Sequence, residues 1–128
     1  MMAISSIWQK RMLATYFLAY PYKLQMGKKD IRKNFRNAVF KRDGHTCRVC
    51  GTKREESLLD AHHITDRSEM PNGGYVASNG ITVCKDECHM KVEKFHITHG
   101  EEWEEGLHPD DLYAIIGSSR EQAEAESE

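Results

Sequence analysis

Residue types able to hold metal ions gather in the middle of this 128-residue sequence. Cys47-x2-Cys50 and Cys84-x3-Cys88 are two close cysteine pairs, 33 residues apart, and the second is one residue longer than the first. Each short loop can present two thiolates to one ion, which suits a tetrahedral structural zinc site. Zinc would also add folding free energy to a small core. The competing readings are a redox Cys-x-x-Cys and unpaired core cysteines. A redox motif sits at a helix start in a βαβ setting, and that setting is missing.

A second group is built from nitrogen and oxygen donors: Asp60-Ala-His62-His63-Ile64, then Asn79-Gly-Ile, then Cys88-His89, with Glu93 four residues further on. On a strand, His62 and His63 point to opposite faces, so one can hold a metal while its neighbour stays free. His89 follows a cysteine of the first group directly. Glu93 lies one helical turn beyond His89, on the same face, where the two could share a cation. A site without thiolate suits a catalytic divalent ion with open coordination positions. His45, His99 and His108 are assigned to structure or surface, and Trp103, among four glutamates, to a packing anchor.

The elements that must position these groups follow from periodicity and turn residues. Ile31, Phe35, Ala38 and Val39 recur at helical spacing between Lys28 and Arg42. Asp43-Gly44 ends that helix, with Gly suited to a left-handed cap. Ser57–Ile64 and Ile81–Cys84 read as short strands, 66–80 as a loop, and 87–99 as a helix. Pro109–Ile116 reads as a short helix, with Pro near its start and Gly117 just past its end. Residues 1–27 are expected to be an N-terminal extension or packing helix, because Lys10 and Arg11 and the lack of a small-residue cleavage pattern argue against a signal peptide. Residues 118–128 are acidic and nearly free of large apolar side chains, and a disordered tail is expected there. No run of 18 apolar residues exists, so no transmembrane helix and no membrane partner are expected.

The net charge of −2 hides an asymmetry. Residues 1–54 carry 13 Lys and Arg against Asp30 and Asp43, while residues 55–128 carry five against 18 acids. A basic half is the electrostatic footprint of a phosphate-binding surface, although a merely dipolar, solvated surface would look the same.

Together, Arg-Asp-Gly-His-Thr-Cys-Arg-Val-Cys-Gly (42–51), Asp-Ala-His-His-Ile (60–64), Asn-Gly-Ile-Thr-Val-Cys (79–84) and Cys-His (88–89) resemble an HNH endonuclease over about residues 40–97. The resemblance implies an α+β fold, a zinc-stapled, treble-clef-like ββα-metal core with flanking helices, in a nuclease domain of residues 28–117. His63 then matches the general base, and its ordinary pKa of about 6.5 leaves it able to accept a proton near neutral pH. His62 and His89 match the two metal-ligand positions. Glu93 stands where some members place a histidine ligand, and favours a harder ion such as Mg²⁺ or Mn²⁺. Asn79 matches the middle letter of the motif, bracing the loop between the strands, and Asp60 could orient a histidine. One divalent ion would offset charge on the scissile phosphate and the leaving 3′-oxygen, giving 5′-phosphate and 3′-hydroxyl ends. Lys28, Lys29, Arg32, Lys33, Arg36, Lys41 and Arg42 are candidates for phosphate contacts on double-stranded DNA.

The reading that emerges is a metal-dependent DNA endonuclease, with Zn²⁺ in the cysteine site. A zinc-stabilised DNA-binding module without catalysis is the alternative, but it would have no need of His62, His63, Asn79 and His89. An RNA- or protein-binding zinc domain lacks stacking aromatics here. With no second specificity domain in view, site selection would rest on weak preference or on a protein partner, and a double-strand cut on a homodimer or two events. Four thiolates kept for zinc imply a reducing compartment, hence the cytoplasm, that of the host if the chain is a phage product.

Overall fold

The computed structural model describes residues 26–128. The expected N-terminal extension lies, up to residue 25, outside them. Contacts divide the chain into Met1–Ile31 and Arg32–Glu128. The described part of the first unit holds the start of helix α1 (Lys28–Asp43), where the Gly27 carbonyl accepts from the Asp30 and Ile31 N–H groups, both at 3.1 Å.

The second unit continues α1 and then runs through β1 (Leu59–His63), three short 3-10 turns, β2 (Gly80–Cys84), α2 (Cys88–Ile97), α3 (Pro109–Ile116) and α4 (Arg120–Ser127). β1 and β2 form a two-stranded antiparallel sheet in which Leu59 pairs with Cys84, His62 with Ile81 and His63 with Gly80. This is the mixed helix and two-strand arrangement that the motif order implies. Its core gathers Ile64, Ile81, Val83, Val92, Leu112 and Tyr113 around three of the cysteines. No described helix is long and apolar enough to cross a membrane.

α1 packs on the sheet through Phe35, Val39 and Phe40, all buried, whereas Ala38 is exposed, so the apolar stripe lies slightly round the helix from the one the spacing predicts. Gly80 permits the close approach. A Cβ there would come within 2.5 Å of Val39 Cγ2 and 2.7 Å of Phe35 Cζ. The missing side chain opposite His63 therefore lets Phe35 reach the end of β1.

Asp43 does more than end a helix. Its side chain is fully buried and takes Arg42 Nε and Nη2 at 2.9 and 2.8 Å, Arg48 Nη1 at 2.8 Å and the Thr82 N–H at 3.0 Å. Burial alone would raise its pKa, but these hydrogen bonds and the Arg42 charge hold it below the ordinary carboxylate value. Arg48, between the first two cysteines, also donates to the Ile115 carbonyl at 2.8 Å. The carboxylate thus ties α1, β2, the first cysteine loop and the end of α3 together.

α3 is closed at both ends as its Pro and Gly suggest. The His108 ring accepts from the Asp110 N–H, Asp111 accepts from the His108 N–H, and Gly117 takes the left-handed conformation with φ of 69°. Phe95 and Trp103 flank the same His108 ring at 5.0 and 4.8 Å, which pins the turn before α3.

The expectation of a disordered tail at 118–128 is corrected: α4 is a helix capped by the Ser119 hydroxyl and docked on the loop between the strands. Ala123 is completely buried, Asn72 Nδ2 donates to the Ser127 carbonyl at 2.8 Å, and the Ser78 hydroxyl donates to Glu126 at 2.8 Å. Composition misleads here because the docking uses one small side chain and several hydrogen bonds instead of large apolar groups.

Candidate active site

The four cysteines converge. Sulfurs of Cys47, Cys50, Cys84 and Cys88 all lie within 4.8 Å of one another, and Cys50 and Cys84 are 4.0 Å apart. Tetrahedral zinc at ordinary Zn–S lengths needs sulfurs about 3.8 Å apart, so the donor set fits that ion. The Cys50 and Cys88 N–H groups point at Cys47 and Cys84 sulfurs, each at 3.4 Å. Thr52 hydrogen bonds bring the Cys50 thiol down to about 6, while burial pushes Cys84 and Cys88 up. Four thiolates at such distances repel one another strongly unless a cation sits among them. The extra residue of the second pair is taken up in the exposed turn Lys85–Glu87, and Cys88 opens α2.

Because Cys88 opens α2, His89 and Glu93 face the sheet one turn apart. There they meet His62, and donor atoms of the three residues again lie within 4.8 Å of one another. Glu93 Oε1 accepts from His62 Nδ1 at 3.0 Å and lies 3.4 Å from His89 Nε2. Asp60 Oδ2 accepts from His89 Nδ1 at 2.7 Å. A carboxylate only accepts, so Asp60 keeps the proton on Nδ1 and leaves Nε2 free for a ligand. The hydrogen bond from His62 and the nearby His89 ring hold the Glu93 carboxyl far below its ordinary value, and burial lowers His62. His62 Nε2 is buried and has no partner among the described residues. Two imidazoles and an anionic carboxylate converging in this way fit a divalent cation.

His63 points to the other face of β1, as strand alternation requires. Its ring lies flat against Phe35, with centroids 4.4 Å apart and an interplanar angle of 22°, and meets the Tyr75 ring edge-on at 4.8 Å. Its backbone carbonyl lies 3.0 Å from His96 Nε2. Burial, with the neighbouring His62 and Arg67 charges, brings the His63 imidazole down to about 4, so it stays neutral throughout the neutral pH range.

Asn79 is completely buried and fully satisfied. Its Oδ1 accepts from the Thr65 N–H at 2.9 Å and the Tyr113 hydroxyl at 2.7 Å, and its Nδ2 donates to the carbonyls of Thr65 and Gly74 at 3.1 and 3.2 Å. Since the Tyr113 proton goes to Asn79, the Thr65 hydroxyl must donate in turn to Tyr113, at 2.7 Å. The amide ties the exit of β1 to the entry of β2.

Of the basic candidates, Arg32, Lys33, Arg36 and Lys41 are exposed on α1, and Lys28 and Lys29 are exposed in its first turn. Arg42 is a correction: besides its pair with Asp43 it donates to the Ala77 and Gly80 carbonyls at 2.6 and 2.7 Å, so it clamps the structure instead of offering its donors to phosphate. Reading the sequence missed Arg67, Tyr75 and the His96 contact. Arg67 and Tyr75 sit in a stretch of short turns where no periodicity sets one side chain apart, and the only available signal was an arginine and a tyrosine soon after the paired histidines.

Residues 47–95 match the family model described as HNH endonuclease, and they contain both donor clusters and His63. This segment is thus similar to an HNH endonuclease domain, and its four cysteines are positioned to form a metal site. No curated protein and no solved structure matches it.

Proposed function

We propose that the chain is a metal-dependent DNA endonuclease that hydrolyses phosphodiester bonds with His63 as general base. The observation that carries this reading is the meeting of His62, His89 and Glu93 within an HNH domain, one strand position away from a neutral, braced histidine. His62, His89 and Glu93 would hold the catalytic cation, with Mg²⁺ or Mn²⁺ favoured by the carboxylate. A divalent cation bound there supplies charge neutralisation on the scissile phosphate and the leaving oxygen.

The chain's own residues do the rest. His63 accepts the proton of the attacking water and needs no prior deprotonation, because burial keeps it neutral. Asp60 holds the tautomer of His89 in which Nε2 can ligate. Asn79 fixes the relative position of the two strands, and with it the offset between His62 and His63. Cys47, Cys50, Cys84 and Cys88 would hold zinc, which would fix the start of α2 and with it His89 and Glu93. The exposed Arg32, Lys33, Arg36 and Lys41 contact DNA phosphates without reading sequence.

A supercoiled plasmid incubated with Mg²⁺, Mn²⁺ or Ni²⁺, beside an EDTA control, tests the reading. Nicked or linear product that depends on the ion supports it. Zinc-loaded, folded protein that binds DNA but cuts under none of these ions would favour the non-catalytic binding module.

A further inference from the structure

Between β1 and β2 the chain passes through turns at Arg67–Glu69, Pro71–Gly74 and Ala77–Asn79, and from this stretch Tyr75 comes back to His63 with Arg67 on its hydroxyl. The Tyr75 ring stands edge-on to the His63 ring at 4.8 Å and to Phe35 at 5.8 Å, while Phe35 covers the flat of the imidazole. The general base is therefore held from two directions. At the other end of Tyr75, the hydroxyl accepts from Arg67 Nη1 at 2.9 Å. Arg67 is exposed, and the neighbouring Asp66 carboxylate is engaged by the Ser68 N–H and hydroxyl.

A phenol oxygen is a neutral acceptor. It orients the guanidinium yet leaves its charge intact, where a carboxylate would cancel it. One N–H donor of Arg67 is used on Tyr75, and the others remain for an anion whose geometry the planar fork matches. The substrate class proposed above is a polyanion with a phosphate on either side of the one attacked. A charged fork fixed beside the general base is placed to grip such a phosphate.

Resting on that nuclease reading, we propose that Tyr75 and Arg67 act as one unit. Tyr75 is a positioning residue for His63, and Arg67 is a substrate contact that binds a phosphate adjacent to the bond being cut. Arg67 belongs to the loop between the strands, and Arg32 of α1 also faces the Tyr75 hydroxyl, so the loop arginine extends the basic surface of the helix toward the chemistry.

Steady-state cleavage of a defined DNA duplex in Mn²⁺ tests this with R67A, Y75F, the R67A/Y75F double variant and Y75A. R67A should raise KM about tenfold with kcat nearly unchanged, and should lower the slope of log affinity against log salt by about one. Y75F keeps the ring and should shift KM in the same direction, and the double variant should be no worse than R67A. Y75A should also cost kcat about 10- to 100-fold, since misplacing a reacting group by about 1 Å has effects of that size. Melting temperature and zinc content are measured in parallel, and if Y75A does not fold, the R67A and Y75F cycle decides. Unchanged KM in R67A, or effects that multiply in the double variant, would overturn the inference alone. No cleavage by the wild type under any ion would overturn the nuclease reading and this inference with it.

Discussion

Asp60 Oδ2 accepts a hydrogen bond from His89 Nδ1 at 2.7 Å, which turns His89 Nε2 toward Glu93. The strand residue two positions before His62 thus sets the chemistry of a helix residue 29 positions later. Outer carboxylates of this kind typically change metal affinity 10- to 100-fold. Asp60→Asn should weaken Mn²⁺ binding by about that factor, measured by calorimetry on zinc-loaded protein, with the melting temperature little changed. Equal Mn²⁺ affinity in the variant and the wild type would show that His89 needs no such orientation.

The Asp43 carboxylate, buried against Arg42, Arg48 and the Thr82 N–H, makes a prediction about pH. Breaking a buried charge cluster from one side costs about 3 kcal/mol or more. Asp43→Asn should lower stability by roughly that amount at neutral pH. Because the folded pKa lies below the ordinary 3.8, the stabilisation is complete above that value and is lost as pH falls through the folded one. The gap between wild type and variant in urea unfolding should therefore hold constant from pH 7 to 5 and shrink below about pH 4. A gap independent of pH would mean that the charge contributes nothing.

Cys88 is both a donor of the cysteine site and the first residue of the helix that carries His89 and Glu93. Elemental analysis should find about one zinc per chain in the wild type and less in Cys88→Ser. Loss of zinc should lower the melting temperature and abolish cleavage together. A fully folded wild type without bound metal would remove the assignment.

Deleting residues 118–128 removes buried Ala123 and the bonds of Asn72 and Ser78 to α4. At about 1 kcal/mol for each net hydrogen bond, the truncated chain should lose roughly 1–3 kcal/mol. Cleavage should fall as well, because the same loop holds Asn79. Thermal melts and plasmid cleavage of the truncated chain check this, and wild-type values for both would mean that the helix is dispensable.

What the sequence makes legible is local. Two cysteine pairs, a double histidine on a strand and a Cys-His at a helix start each encode their geometry within a few residues, and the fold has only to bring them together. Pro109 and Gly117 likewise mark a helix by backbone rules that operate at their own positions. The rest depends on partners far along the chain. Asp43 reads as a helix stop because nothing nearby announces Arg48, Thr82 and a buried setting. Arg42 reads as a surface cation although two of its acceptors are carbonyls more than 30 residues away. α4 has the composition of a tail, and only a site fitted to Ala123 makes it an element. Arg67 and Tyr75 lie in irregular backbone, where no period tells which side chains turn inward.

The central claim is that His63 performs the proton transfer while other residues bind metal and DNA. The most direct measurement compares the single-turnover cleavage rate of His63→Ala with that of the wild type at saturating Mn²⁺, with Mn²⁺ and duplex affinity measured on the same samples. The account predicts a fall in rate of about 10²-fold or more, in the range usual for loss of a general base, with both affinities and the zinc content unchanged. A His63→Ala variant that cuts at the wild-type rate would contradict it.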